Sequence, residues 1–371
     1  MSAAATTVGD MTDTLLLAGT RKGLLLARRQ GGSWHTEPLA LPMTAVYAVA
    51  IDDRRSTPRL FASATSEHWG PTILHSDDLG STWTEPDHAP VAFPGDVDAA
   101  LERVWQIQPG PRAEPDVVYA GTEPAALFRS EDGGLTYELV RPLWDHPHRT
   151  QWGAGFGGQA FHTVIPHPAD PRRILAALSS GGVYRTYDGG ASWAPSNTGI
   201  KATFFPEEQR YPEFGQCVHK IAQDAGDPER LYLQNHNGVY RSDDWGGSWT
   251  SIAEGLPGEF GFPIVADPRR AGHAYLFPLV SDYSRFTPEY RCRVYGTTDA
   301  GESWAEVGPG LPESEFYSLV LRDAFTADAA DPLGLYLGTR SGELYAGGAG
   351  GWERIASNLP DVLSVRAMAL A

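Results

Sequence analysis

Two histidines, His162 and His219, have the side chain best suited to proton transfer near neutrality, and imidazole also binds borderline metals. Each follows a long insertion, 25 residues after Tyr137 and 26 after Trp193. Such a pair could serve as a general base or hold a divalent metal at the mouth of a ring of strands. Glu123 is the carboxylate expected to act beside them. Arg21, in Gly19-Thr20-Arg21-Lys22-Gly23, and Arg340, in Gly338-Thr339-Arg340-Ser341-Gly342, sit on matching turns, with Arg366 in the strand between them. Guanidinium forks in that arrangement can grip a carboxylate or phosphate bidentately. His236, Glu67, Tyr47, Trp105, Tyr317 and Trp152 complete a set suited to a ring-bearing polar or anionic ligand. Further carboxylates lie at Glu207, Glu208 and Glu213. Glycoside hydrolysis needs a pair of them, at a separation that sequence does not give. The competing reading is that the rings simply plug a channel and the turn arginines are solvated.

What must position these residues is a repeat. The pattern Ser/Thr-x-Asp-x-Gly-x-Ser/Thr-aromatic occurs at Ser76 to Trp83, Ser130 to Tyr137, Thr186 to Trp193, Ser242 to Trp249 and Thr297 to Trp304. Its aspartates, Asp78, Asp132, Asp188, Asp244 and Asp299, are spaced 54, 56, 56 and 55 residues apart. A fixed period marks units that must stack on their neighbours to bury their apolar faces. Asp can accept hydrogen bonds from its own turn and Gly can take a positive φ, so the motif suits a hairpin and its carboxylates are read as structural.

On these motifs the chain resembles the Asp-box (BNR-repeat) β-propellers, a sialidase-like, WD40/YVTN/BNR-like superfamily. It includes sialidases, the sortilin ectodomain, tandem-propeller xyloglucanases and the photosystem II assembly factor. The resemblance implies a propeller and leaves activity open, because the superfamily hosts unrelated functions. Sialidases carry an early Phe/Tyr-Arg-Ile-Pro signature. The nearest string here, Phe262-Pro263-Ile264, is late and lacks the arginine, so true sialidase activity is not expected. The xyloglucanases place substrate between two propellers, whereas this chain encodes one.

The rest of the pattern is short apolar strands between Gly, Pro and Asp turns, without helical periodicity, which predicts an all-β class. In one unit, Val104 to Gln108, Val117 to Gly121, Ala126 to Ser130 and Thr136 to Val140 read as four strands counted outward from the axis. Degenerate units at Thr14 to Thr36 and Gly334 to Ile355 lack the box Asp and end at Trp34 and Trp352. The expectation is a single seven-bladed β-propeller of four-stranded blades over residues 14–371, preceded by a disordered tail over 1–13, with Met11 an alternative start. The C-terminal run Val362 to Leu370 should close the ring against the N-terminal blade, removing exposed edges.

Register supports that closure. Trp34 to Tyr47, Trp249 to Phe262, Trp304 to Tyr317 and Trp352 to Val365 are each 13 residues apart. The other three intervals are longer, 22 to Trp105, 25 to His162 and 26 to His219. A fourth insertion, Ser281 to Arg291, lies in a B-to-C loop. All four should enlarge one face, and the stretch from Trp144 to Phe161 reads as its wall or lid.

Net charge is −17, which repels phosphate backbones and anionic lipid, so neither nucleic acid nor membrane is expected as a partner. Residues 1–14 show no secretory apolar region. Cys217 and Cys292 form no familiar metal-spaced motif, and two thiols suit a reducing compartment. A cytoplasmic protein is expected. Its function would be to bind a small polar, sugar-like or anionic ligand, as a hydrolase or lyase, or else to act as a protein-interaction scaffold through the same face.

Overall fold

The computed structural model describes residues 12–155 and 158–370. The tail expected over 1–13, with Met11, lies outside this range except for Thr12 and Asp13. Asp13 is tied down, its carbonyl accepting from the Leu370 N–H at 2.7 Å. Strand makes up 42% of the chain and helix 4%, so the all-β class holds. No helix among the described residues is long and apolar enough to cross a membrane.

The strands form one eight-stranded, four four-stranded and one three-stranded sheet. The unit read in detail from sequence forms as Arg103–Pro109, Val118–Glu123, Ala126–Ser130 and Glu138–Leu139, hydrogen-bonded in that order. In the three-stranded sheet, an isolated bridge from His75 to Thr84 stands where an outer strand would run. The eight-stranded sheet contains two units. In it the C-terminal strand Val362–Ala369 pairs antiparallel with Thr14–Thr20, from Thr14 opposite Ala369 to Thr20 opposite Val362. A single parallel bridge, Asp323 to Ser364, connects it to Val320–Ala327.

The first strand of each unit touches the first strand of the next, and Val362–Ala369 in turn contacts both Val320–Ala327 and Ala45–Asp52. Apolar side chains fill the space between successive sheets, as where Phe61 and Ile73 pack with Val104, Val118 and Phe128 of the following unit. Three of the aromatics that end these units reach back one unit, whereas Trp193 Nε1 bonds Gly190 O in its own hairpin at 3.1 Å. Trp249 Nε1 donates to Ser196 O at 2.9 Å, Trp304 Nε1 to Ile252 O at 2.7 Å and Trp352 Nε1 to Val307 O at 2.7 Å.

The repeated aspartates make the same bonds in all five hairpins. In the third, Asp188 Oδ1 accepts from the Thr186 hydroxyl at 2.7 Å and the Ser192 N–H at 2.9 Å, and Oδ2 accepts from the Ser192 hydroxyl. Gly190 has φ +96°, which a side chain would strain. Hydroxyl donors first hold the carboxyls of Asp78, Asp188 and Asp299 down at about 2. A carboxyl depressed on folding stabilises the native state above the ordinary carboxylate range and loses that contribution as pH falls toward 2. At Asp244 burial pushes upward, but bonds from Ser248 and Ser242 prevail and the group is again lowered. Asp244→Ala should therefore lower stability by roughly 1 kcal/mol at neutral pH, with the gap to wild type closing below about pH 4. Urea titrations at pH 7 and pH 3 check this, and an undiminished gap at pH 3 would refute the linkage.

Candidate functional site

One pocket of about 630 Å³ opens where the innermost strands begin. All four insertions contribute: Arg103 at the end of the first, Gly155 from the second, Phe204 from the third, and Asp282, Tyr283 and Arg285 from the fourth. Six residues singled out from sequence meet there, namely Arg21, Tyr47, Trp105, His219, His236 and Arg340.

The two turn arginines share one carboxylate. Arg340 reaches Asp361 at 2.8 Å, and Arg21 lies 3.9 Å from the same oxygen, with its NH1 3.4 Å from the Tyr47 hydroxyl. Arg366 instead turns inward to Asp323, at 2.8 Å. Three cations in the pocket were missed in the sequence. Arg103 forms an ion pair with Glu123. Arg285 stands over the Phe262 ring, with its Nε donating to Asp282 O at 3.1 Å. Arg322 lies 5.2 Å from the Trp105 ring centroid and makes no ion pair with a carboxylate among the described residues. Burial lowers the Arg322 guanidinium from its usual range, as expected for a charge with too little compensation.

The imidazole wall differs from the sequence reading. His162 is fully buried, with Nε2 3.0 Å from Val218 O and Nδ1 3.1 Å from the Thr163 hydroxyl. Both ring nitrogens are engaged inside the protein, so pairing His162 with His219 as base or metal ligands is withdrawn. His219 does face the pocket. Its Nδ1 is 2.5 Å from Gly261 O and its Nε2 is 3.6 Å from Cys217 Sγ. Burial first, then the nearby Arg322, hold His219 well below the ordinary histidine range, so the ring is neutral. Burial also pushes the Cys217 thiol up, against the pull of Arg322.

Cys217 was set aside in the sequence reading for want of a familiar spacing. Cys217 stands just before the strand Val218–Gln223, whose pairing is irregular at His219, and this local geometry, which strand periodicity does not announce, brings the two side chains together. His236 joins them across the hairpin: Val218 pairs with Asn235, and the His236 N–H donates to Cys217 O at 2.9 Å. The ligand atoms of Cys217, His219 and His236 all lie within 4.8 Å of one another. Asp282 Oδ2 is 3.2 Å from His236 Nε2.

Four other expectations are corrected. Glu123 is buried rather than a free acid or base, accepting from Arg103 and, at 2.9 Å, from Trp105 Nε1, so it positions two pocket residues. Trp152 is buried among Phe161 and Tyr184, with Nε1 bonded to the Tyr184 hydroxyl at 2.8 Å. The wall it belongs to is packed, with His148 stacked on Phe214, and residues 156–157 lie outside the described set. Glu67 is exposed on a turn outside the pocket. Tyr317 precedes its strand, which begins at Val320, and is 63% exposed. The 13-residue register fails there, and Leu321, Arg322 and Asp323 line the pocket instead.

No protein-family model matches the chain. Among curated proteins, a probable oligoxyloglucan-reducing end-specific xyloglucanase of Neosartorya fischeri is 26% identical over 244 residues, covering 65% of this chain and 24% of that protein. Xyloglucanase Xgh74A of Acetivibrio thermocellus is 24% identical over 230 residues, covering 54% and 26%. The chain thus spans about a quarter of the length of these relatives. Among solved structures, an ancestral GH74 enzyme is similar with a TM-score of 0.56 at 17% identity, over 87% of this chain and 38% of that one. This likeness is one of propeller-type fold.

Proposed function

We propose that this protein is a seven-bladed propeller, closed through its C-terminal strand, that binds and acts on a carboxylate-bearing sugar in the insertion-lined pocket. The first-strand contacts and the C-terminal pairing support the ring. The observation carrying the ligand class is the charge of the pocket. Five arginines line it (Arg21, Arg103, Arg285, Arg322 and Arg340) in a chain of net charge −17; Arg21 and Arg340 share Asp361 and Arg103 pairs with Glu123, which leaves Arg285 and Arg322 with no ion pair among the described residues. Tyr47, Trp105 and Phe262 supply ring faces. The xyloglucanase relatives lend support to a saccharide. A carboxylate pair of the kind glycoside hydrolysis uses has no counterpart among the described residues that line the pocket, since Asp323 is consumed by Lys220 and Arg366 and Asp282 faces His236. The groups left to face the sugar are Cys217, His219 and His236. Among the two reactions expected from sequence, this favours a lyase over a hydrolase.

A second reading rests on exposed rings of the fourth insertion and on Tyr317, which packs against them. Phe286, Tyr290 and Tyr317 form an exposed ring cluster with centroids 5.1–6.0 Å apart, and Tyr283 is 96% exposed. Such a surface would also suit a protein partner. Calorimetry with uronic-acid oligosaccharides and with neutral xyloglucan oligosaccharides separates the cases. Acidic sugars should bind preferentially, and Arg322→Gln should weaken them by about 10- to 100-fold, the value of one hydrogen bond to a charged group. Equal binding of neutral sugars, or an unaffected Arg322→Gln variant, would remove the acidic-sugar reading. Absence of any sugar binding would leave the scaffold.

A further inference from the structure

We infer that Cys217, His219 and His236 form a site for one borderline divalent transition metal, of which zinc matches the donor set best, with an open coordination position facing the pocket. The inference goes beyond the ligand reading and does not depend on it. Thiolate plus two imidazoles is a set that zinc accepts, whereas calcium and magnesium demand oxygen. For metal–ligand bonds of roughly 2.0–2.3 Å, neighbouring donors in a tetrahedron stand about 3.3–3.8 Å apart. Cys217 Sγ and His219 Nε2 are 3.6 Å apart, and all three donors lie within 4.8 Å of each other.

Both rings are also held as ligands usually are. A metal-bound histidine typically gives its other ring nitrogen to a carbonyl or carboxylate, which fixes tautomer and orientation. Here His219 Nδ1 is bound to Gly261 O at 2.5 Å, which leaves the Nε2 lone pair directed at Cys217. His236 is steadied by Asp282 at 3.2 Å. The backbone bond from His236 to Cys217 locks the two segments together without using a side chain. Because all three residues line the cavity, three protein donors would leave a fourth position to water or ligand, the arrangement of catalytic rather than structural zinc.

The test uses the full chain, stripped with a chelator and then titrated with Co²⁺ or Zn²⁺ alone. Wild type should take up one Co²⁺ with a thiolate-to-cobalt charge-transfer band, and Zn²⁺ should displace it. Cys217→Ser should abolish the band and weaken Zn²⁺ by well over tenfold. Asp282→Asn, removing only the ring's support, should weaken it by about 10- to 100-fold. Thermal melts establish that each variant is folded, and Cys217 alkylation in the wild type should slow when Zn²⁺ is added. A band that persists in Cys217→Ser, no stoichiometric Co²⁺ uptake, or alkylation indifferent to Zn²⁺ would each overturn the site, the last pointing to a simple thiol–imidazole pair. None of these readouts requires a sugar, so failure here and failure of the acidic-sugar reading are distinguishable.

Discussion

Deleting residues 362–371 should yield a protein that aggregates or melts far below the full-length chain. The strand Val362–Ala369 supplies every partner of Thr14–Thr20 on one side, so its loss turns Thr14–Thr20 into an open edge carrying Leu15, Leu16 and Leu17. Val362, Leu363 and Val365 are themselves buried. At roughly 1.5–3 kcal/mol for each fully buried aliphatic side chain, the three account for about 5–9 kcal/mol. That approaches the whole stability of an ordinary domain, about 5–15 kcal/mol. Scanning calorimetry and size-exclusion chromatography of the truncated chain provide the measurement. A monomer with an unchanged melting temperature would show that the strand is dispensable.

Asp323→Ala should cost about 3–5 kcal/mol, the range for breaking a buried ion pair from one side. Asp323 Oδ1 accepts from Lys220 Nζ at 2.7 Å and from Arg366 NH2 at 2.8 Å, with the Asp323 side chain 5% exposed. The three residues sit on three different innermost strands, so the change leaves two cations uncompensated at the centre of the molecule. Burial pushes the Asp323 carboxyl up, but Lys220 and Arg366 outweigh it and the group is held below its usual range. Its contribution is accordingly present above the ordinary carboxylate range and lost as pH falls through the depressed value. The expected signature is a drop in urea midpoint at unchanged slope, partly recovered by Lys220→Met in the same chain. A single-variant cost below about 1 kcal/mol would mean that the triad is solvated, as exposed pairs are.

Most of the architecture was legible because it is periodic. The box aspartates announced the hairpins, and the long intervals before Trp105, His162 and His219 announced which loops build the pocket. Chemistry was less legible, for reasons that differ by residue. His162 and His219 share a register, and each stands at an irregular pairing position and bonds a carbonyl of the following unit, yet only His219 lines the pocket. Tyr317 was misplaced because the pairing of Val320–Ala327 is irregular between Val320 and Phe325, and an interval count cannot see an irregularity. Arg322 was missed for the same reason. Cys217 and Asp282 belong to segments distant in sequence, and only the hairpin turn at His236 brings them together.

The contrast between an acidic exterior and an arginine-lined mouth has a kinetic side. At 0.01 M salt the Debye length is about 30 Å, so an approaching anion feels the whole molecule before it feels the pocket; near 0.15 M the length is about 8 Å and the local guanidinium groups dominate. Small anions should therefore be admitted faster as salt rises through the low range, the reverse of electrostatic steering. Long polyanions would remain in the repulsive field along their full length while only one end could enter. On the acidic-sugar reading proposed above, such a surface would select by length as well as by charge, taking short acidic molecules in preference to long ones without any steric gate.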